Sequence, residues 1–269
     1  MKKKYLCPSC KNNLFKKIVK LPFFTHFKFY LINKKNSYLI CKVCNIIINK
    51  NLTNKKLKFI LSKNYSKLNL NQKSFKKNKN FQKYDEQFTY LKKNRILKDG
   101  MSVLDIGCNK GHLLKKIKKN IKNSVCKGYD ENPYIKKYLR NKAIFFDYQK
   151  NKTFKFDLII LSHSLMYFKN INKLIKVLQK NLSEDGKIFI ETPNIENSPF
   201  YLLMGDQYYF FTIYSLQKIF FKFKFYILDT NFSNSNSNFS IIFGNNKIND
   251  YKFKKFNLVK SLKYLFFIK

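Results

Sequence analysis

Within residues 81–245, short apolar runs alternate with stretches in which apolar residues recur three and four positions apart. This alternation predicts a series of strands and helices. Nearly continuous apolar runs predict buried strands, because a strand covered on both faces shows no polar side. Five runs are predicted as strands, in the order SVLDI, SVCKGYD, AIFFD, FDLIILS and KIFIET, and the fourth is nearly continuous in its apolar residues. Apolar residues three and four apart in GHLLKKIKKN and INKLIKVLQKNL predict helices after the first and fourth runs. Asn132 followed by Pro133 marks the start of another helix after the second run.

Regular alternation of strands and helices predicts an α/β fold, a doubly wound parallel sheet with helices on both faces. In such sheets ligands bind beyond the carboxyl ends of the strands, near the point where the strand order reverses. We therefore expect a ligand at the end of the first strand, SVLDI.

Composition divides the chain into four parts. Residues 51–80 are rich in Lys, Asn and Ser with little periodicity and are interpreted as a linker. They follow a cysteine-containing module, residues 1–50, and precede the main domain, residues 81–245. Residues 246–269 form a basic, partly amphipathic tail that we expect to pack on the domain; weak contact with an anionic membrane surface is the alternative.

The formal net charge of +40 on 269 residues changes this picture little. Such a charge fits a nucleic-acid protein, but Arg95 and Arg140 are the only arginines, and Arg is the side chain that binds phosphate bidentately. We interpret the lysines as a compositional bias, so a nucleic-acid partner stays open but is not favoured. No targeting signal or apolar stretch long enough for a bilayer is recognised, and a cytoplasmic protein is expected.

Four of the six cysteines form two C-x-x-C pairs, Cys7 with Cys10 and Cys41 with Cys44. Each pair on a tight turn can point two thiolates at one place, and two pairs complete the tetrahedral sulfur site that suits zinc. The pattern predicts a closed, structural zinc module (a knuckle or ribbon). A redox pair is the alternative, but CPSC does not open a helix in a thioredoxin-like unit.

The stretch VLDIGCNKGHLL carries the candidate cofactor chemistry. Gly107 permits a tight turn after the strand, and Gly111 lets the next helix pack closely. Asp105 opposes phosphate but suits the ammonium and sulfonium groups of S-adenosylmethionine. Asn109 stands where many loops carry a glycine, and Asn tolerates the left-handed backbone. Cys108 lies in the same loop and also fits a small buried apolar residue.

Acidic residues recur at two later strand ends. Asp130 ends the second run, where a carboxylate can accept hydrogen bonds from both hydroxyls of a ribose. Asp147 and Tyr148 follow the third run, where they can contact an adenine amino group and cover its ring.

With these motifs in place, residues 81–244 resemble the class I S-adenosylmethionine-dependent methyltransferases. VLDIGCNKGHLL is similar to the first motif of the family, and GYDENP, FFDYQ, FDLIILSHSLMYF and DGKIFIETPN are similar to the next four. The resemblance implies a Rossmann-like, seven-stranded, mostly parallel sheet with an antiparallel last strand, in which FKFYILDTNF and NFSIIFGNN are strands six and seven. GDQYYFFTIYSLQKIF is similar to the segment on the substrate side.

The resemblance also implies how the cofactor is held. The loop between Asp105 and Gly111 would cradle the methionine part, Asp130 the ribose and Asp147 the adenine amine. Ser162 and His163 would line the sulfonium side.

The catalytic base stays open. Where many relatives carry Glu-His, this chain has Met166-Tyr167, which leaves His163 and Tyr167 as candidates that also fit plain packing. A methyl transfer in line can gain much of its rate from positioning, so the absence of an obvious base does not exclude activity.

The sequence thus predicts a methyltransferase for a small-molecule or carbohydrate-linked acceptor. The cysteine module joined to this domain resembles a group of bacterial methyltransferases, some acting on sugars and one branch on ribosomal RNA. An RNA methyltransferase that docks through the zinc module and lysines is the first alternative. A non-catalytic zinc-knuckle interaction protein on a degenerate scaffold is the second. The oligomeric state and the methylated atom are not fixed by the sequence.

Overall fold

The computed structural model describes residues 6–25, 28–55, 57, 79–151, 153–233 and 235–246. Most of the predicted linker and nearly all of the predicted tail lie outside the described residues, so neither prediction is tested. None of the described helices has the length and apolarity that crossing a bilayer requires.

Ten strands and five helices have bounds within the described part, besides short 3-10 turns at Leu165–Tyr167 and Pro199–Leu203, and residues 54, 55 and 57 are also helical. The strands are β1 Phe15–Thr25, β2 Lys28–Cys41, β3 Ile47–Asn49, β4 Ser102–Ile106, β5 Val125–Tyr129, β6 Phe156–Ser162, β7 Leu182–Pro193, β8 Tyr209–Phe210, β9 Tyr226–Phe232 and β10 Asn238–Gly244. The helices are α1 Lys79–Lys93, α2 His112–Asn120, α3 Pro133–Asn141, α4 Ile171–Asn181 and α5 Ile213–Phe221.

The main sheet has the strand order β5-β4-β6-β7-β10-β9. Its first four strands are parallel, and β10 lies antiparallel between β7 and β9. The order reverses between β4 and β6, the place where a doubly wound sheet binds its ligand. The predicted Rossmann-like α/β fold is confirmed.

The prediction of seven strands is not met in the described part, where the main sheet has six. The run AIFFD contributes one parallel bridge, between Phe145 and Gly128. Two backbone hydrogen bonds limit the length of this strand. The Phe145 amide donates to the Leu139 carbonyl near the end of α3, and the Asn151 amide donates to the Asp147 carbonyl. The chain therefore turns before a full strand can form.

Apolar side chains alternate between the two faces of the sheet, as the period of two in a strand requires. Leu104, Ile159 and Ile188 belong to the core on one face, and Val103 and Phe189 belong to the core on the other. The stripe predicted for α2 (Leu113, Leu114 and Ile117) is buried on the second face, and that of α4 (Ile171, Leu174, Ile175 and Leu178) on the first. Helices therefore cover both faces. The predicted cap is also present, because the side chain of Asn132 accepts a hydrogen bond from the Tyr134 amide.

A second, antiparallel sheet joins the cysteine module to the main domain. Its strand order is β1-β2-β3-β8, and β8 comes from the main domain, with Ile47 opposite Phe210. The hydroxyl of buried Tyr38 donates to the Leu202 carbonyl at 2.6 Å. Cys7 and Cys44 lie in the same apolar core as residues of α5. The module is therefore packed into the domain.

Candidate functional site

The loop that leaves β4 has three residues in the left-handed backbone region: Gly107 (φ +84°), Asn109 (φ +50°) and Gly111 (φ +66°). The prediction that Asn109 holds the bend of a glycine is confirmed. A Cβ atom at Gly107 would lie 2.5 Å from the Cβ of Ser164, which follows β6. The loop therefore packs backbone to side chain against the exit of β6.

Asp130 fastens this loop to the end of β5. Its carboxylate accepts hydrogen bonds from the backbone amides of Asn109 (3.0 Å) and Asn132 (2.9 Å). Among the described residues, the side-chain oxygen of Asn109 is buried without a hydrogen-bond partner. Buried polar atoms are normally paired, so this oxygen marks a place where a ligand donor fits.

Asp105 places a carboxyl group under the loop, with 5% of its surface exposed. Burial raises the pKa of Asp105 to about 7; the charge on Lys83 opposes this rise, and that on Asp130 adds to it. Burial also raises the pKa of Asp130. Two carboxyl groups that are costly to ionise favour a cationic ligand at this edge.

The other residues predicted to contact the cofactor, Asp147, Tyr148 and Cys108, are half-buried or buried. Asp147 is half-buried, and its side chain accepts from the Gln149 amide. Tyr148 is 1% exposed and meets Tyr129 edge-on at 4.9 Å, so its ring is a core residue and leaves no surface to cover an adenine. Cys108 is buried against Gly128, and burial raises its thiol pKa, which agrees with a small apolar residue.

A buried carboxylate that the sequence analysis missed organises the other half of the edge. Glu191 in β7 lies opposite Ser162 of β6 in the parallel register. One oxygen of Glu191 accepts from Gln87 at 2.7 Å and lies 3.0 Å from Nε2 of His163. Nζ of Lys83 is 3.6 Å from the same oxygen. The only signal in the sequence is one acid within the apolar run KIFIET.

These contacts determine the ionisation of Glu191. Burial alone would raise its pKa, but the hydrogen bond and charge of His163, with Lys83 and Gln87, lower it to about 2. Ser240 adds a hydrogen bond at 3.3 Å to the second oxygen. Glu191 is therefore a fully partnered carboxylate at neutral pH.

The two candidate bases differ in surroundings. The side chain of His163 is 28% exposed and stands beside Glu191. Tyr167 ends the 3-10 turn after β6 and packs against the apolar core. Tyr167 thus matches the packing interpretation.

The four predicted metal ligands meet in one place. Their sulfur atoms all lie within 4.8 Å of one another, and those of Cys7, Cys41 and Cys44 are buried. The Cys7–Cys44 and Cys10–Cys41 sulfur distances are 3.5 and 3.4 Å. Zinc–sulfur bonds of about 2.3 Å in a tetrahedron separate the sulfurs by about 3.8 Å, so the set fits zinc.

Comparison with known proteins agrees with this geometry. Residues 75–229 match the family model described as a methyltransferase domain. A curated relative, (S)-tetrahydroprotoberberine N-methyltransferase of Eschscholzia californica, is 31% identical over 106 residues. That alignment covers 35% of this chain and 30% of the relative, so the chain spans less than a third of that protein.

Solved structures with a similar fold are more distant. Magnesium protoporphyrin IX methyltransferase of Synechocystis PCC 6803, with bound S-adenosylhomocysteine, is 15% identical, with a TM-score of 0.49 over 61% of this chain and 83% of that one. An S-adenosylmethionine-dependent methyltransferase of Archaeoglobus fulgidus is 18% identical, with a TM-score of 0.48 over 60% of this chain and 94% of that one.

The strand order and the loop after β4 define the class of doubly wound α/β domains with a ligand edge at the carboxyl ends of the strands. Because the family model covers more than half of the chain, the chain belongs to the methyltransferase domain family.

The loop geometry predicts different costs for two glycine substitutions. Gly107→Ala and Gly100→Ala share the cost of a left-handed alanine, about 1–2 kcal/mol. Gly100 has φ +75° and no atom within 4 Å of an added Cβ, whereas Gly107 meets Ser164. We expect Gly107→Ala to lower the free energy of unfolding in urea clearly more than its control, and equal losses would contradict the packing described.

The pKa of Asp105 predicts how stability changes with pH. A carboxyl group whose pKa is raised in the folded protein costs stability as the pH rises from 3.8 towards 7, because the unfolded chain ionises first. In the absence of ligand, the free energy of unfolding of Asp105→Asn relative to that of the wild type should therefore rise by about 2 kcal/mol from pH 5 to pH 8.

Asp157→Asn is the control for this change. Desolvation opposes ionisation of Asp157, but hydrogen bonds from Ser102 and Ser183 outweigh it and lower its pKa. The loss caused by Asp157→Asn is therefore the same at pH 5 and pH 8. Urea unfolding at both pH values measures each variant, and a pH-independent difference for Asp105→Asn would show that Asp105 is ionised normally.

Proposed function

We propose that this protein transfers the methyl group of S-adenosylmethionine to a small-molecule or carbohydrate-linked acceptor. The observation that carries the proposal is the buried carboxyl group of Asp105, whose pKa is raised to about 7. It lies at the start of a loop with three residues in the left-handed backbone region, in a chain of the methyltransferase domain family. A cation is the ligand that this arrangement favours. When bound, S-adenosylmethionine supplies a methyl group on a positively charged sulfur.

The residues around the loop fit such a ligand. Asp105 attracts its positive charges, and the unpaired oxygen of Asn109 accepts a donor such as an ammonium group. A carboxylate has about four acceptor positions, so Asp130 keeps room for ribose hydroxyls besides its two backbone donors. Asp147, half-buried, remains the candidate for the adenine amine.

The acceptor class rests on separate support. The curated relative is named for a small molecule, tetrahydroprotoberberine, although less than a third of that protein aligns with this chain. Within the segment that follows the 3-10 turn at Pro199–Leu203, the run of aromatic residues is buried as core: Tyr208, Tyr209, Phe210 and Phe211. These rings are therefore core residues, and they supply no stacking surface for a nucleic-acid base or for a sugar.

One observation keeps the RNA alternative in view. An open groove of about 960 Å³ lies between α1 and α2. It is lined by five lysines: Lys92, Lys93, Lys115, Lys116 and Lys119. A phosphate backbone would be attracted there, and such binding would weaken steeply with salt.

We also propose that the cysteine cluster holds one structural zinc ion. Four thiolates complete the coordination of the metal, so it takes no part in the methyl transfer. Because Cys7, Cys41 and Cys44 share a core with α5, and Ser9 donates to the Ser215 carbonyl at 3.2 Å, the metal would stabilise the domain as well as the module.

Cofactor binding is tested by calorimetry with S-adenosylmethionine. Asp130→Asn should weaken binding at least tenfold, because hydrogen bonds to a charged partner contribute about 1.5–3 kcal/mol. Glu131→Gln makes the same change of charge one residue further on, at a side chain that is 65% exposed, and should bind like the wild type. No measurable binding by the wild type would instead favour the non-catalytic scaffold.

The metal proposal predicts about one zinc per chain by elemental analysis. Cys44→Ala should lose the zinc and lower the melting temperature of the whole protein, whereas Cys126→Ala, a cysteine outside the cluster, should keep both. Wild-type protein with less than about half an equivalent of zinc would rule out the tetrathiolate site.

A further inference from the structure

We propose that His163 and Glu191 act together as a general-base pair, and that the methyl acceptor is therefore a hydroxyl compound that must lose a proton. This inference rests on the proposed function and names its acceptor chemistry. In it His163 is the catalytic residue, and Glu191 is a positioning residue that does not touch the acceptor.

The geometry separates the two partners. The Glu191 side chain is 10% exposed, whereas the imidazole of His163, 3.0 Å away, is 28% exposed. One member of the pair is therefore covered by protein, and the other is partly accessible to solvent. A base needs this arrangement, because its ring has to meet the acceptor while its partner stays out of water.

The backbone of His163 is held in a conformation that eight other non-glycine residues of the described part also adopt. Its φ of +49° lies in the left-handed region, which costs a non-glycine residue about 1–2 kcal/mol. The His163 amide donates to the Glu191 carbonyl at 2.8 Å, so one residue fixes both the main chain and the ring. Strained residues held by their surroundings concentrate at active sites.

Most of the groups that surround the pair contact Glu191. From α1, Lys83 approaches Glu191 and Gln87 donates to it; Ser162 and Ser240 approach it from β6 and β10. The charge of Glu191 also reaches Tyr84 and Tyr201, whose pKa values are raised mainly by burial, so both phenols stay neutral.

Glu191 stays ionised in these surroundings. Burial works against ionisation, but its donors hold its pKa near 2, so the carboxylate does not take up the proton at neutral pH. Its negative charge instead stabilises the imidazolium that forms on His163. The charge of Lys83 opposes that stabilisation.

The step balances with one proton and two bonds. The acceptor oxygen forms the new bond to the methyl carbon while the bond from that carbon to sulfur breaks. The electron pair of the broken carbon–sulfur bond stays on sulfur. His163 takes the hydroxyl proton and later returns it to water. A tertiary amine acceptor has no proton to lose, so the pair would serve no purpose for it.

The first experiment does not depend on an acceptor. The chain has three histidines, so the ring signals of His163 can be assigned by NMR with His163→Asn. A carboxylate within 4 Å favours the charged ring, so the titration midpoint of His163 should fall by about one pH unit in Glu191→Gln and return in Glu191→Asp. Equal midpoints in the wild type and Glu191→Gln would overturn the pair.

Lys83→Met supplies an independent change of opposite sign. Removing the competing cation should raise the same midpoint, and this test stands even if Glu191→Gln fails to fold. A midpoint that is unchanged or lower in Lys83→Met would overturn the electrostatic account. Thermal unfolding and S-adenosylhomocysteine binding show whether each variant keeps its fold and its cofactor site.

The second experiment measures turnover on a phenol, a hexose and a tertiary amine. His163→Asn should lower turnover of a hydroxyl acceptor about 100-fold or more with little change in S-adenosylmethionine affinity. Glu191→Gln should move the acidic limb of the pH–rate profile to lower pH, which a merely structural role would not do. Methylation of the amine alone would overturn the acceptor class. Failure of the wild type to bind the cofactor would instead refute the proposed function.

Discussion

Acidic side chains are buried at the carboxyl edge of the parallel sheet, and the cost of burying their charge is offset differently for each of them. Parallel strands all end at one edge, so Ser162 of β6 lies opposite Glu191 of β7, and Asp105 lies near the end of the neighbouring strand β4, although the three are far apart in sequence. Glu191 is satisfied by cations and donors of the protein itself, whereas burial leaves Asp105 with a pKa of about 7. Two buried acids at one edge thus differ in how their charge is paired, and we propose that Asp105 is the one that faces a cationic ligand.

The N-terminal module is connected to this edge by a series of backbone and side-chain hydrogen bonds. Strand β3, which follows the second cysteine pair, pairs with β8 of the main domain. Next to β8, the Tyr208 amide donates to the Met166 carbonyl in the turn after β6, and the Tyr209 hydroxyl donates to the Lys169 carbonyl. The side chain of Asn49 also donates to the Gly205 carbonyl. The cysteine cluster is therefore connected to the segment that carries His163, three residues before Met166.

Sequence patterns predicted four parallel strands of the main sheet and the helices that cover it, the family resemblance predicted its last two strands, and residue type predicted the left-handed Asn109. Sequence patterns could not find the Glu191 network, which needs α1 to fold across β6 and β7 and brings together residues 75 and 104 positions apart in the chain. They overestimated AIFFD because the Phe145 amide donates to the Leu139 carbonyl near the end of α3 instead of extending the sheet. The ring of Tyr148 turned inward onto Tyr129, a packing choice that no local pattern records.

The central claim is that Asp105 holds a place for positive charge, and proton release on binding tests it most directly. Calorimetry of S-adenosylmethionine binding at pH 6.5, in two buffers of different ionisation enthalpy, counts the protons exchanged. The account predicts release of about half a proton or more per ligand in the wild type, because a cation lowers the pKa of a carboxyl group that is mostly protonated at this pH. It predicts almost none in Asp105→Asn. Equal proton release in both proteins, or none in either, would contradict it.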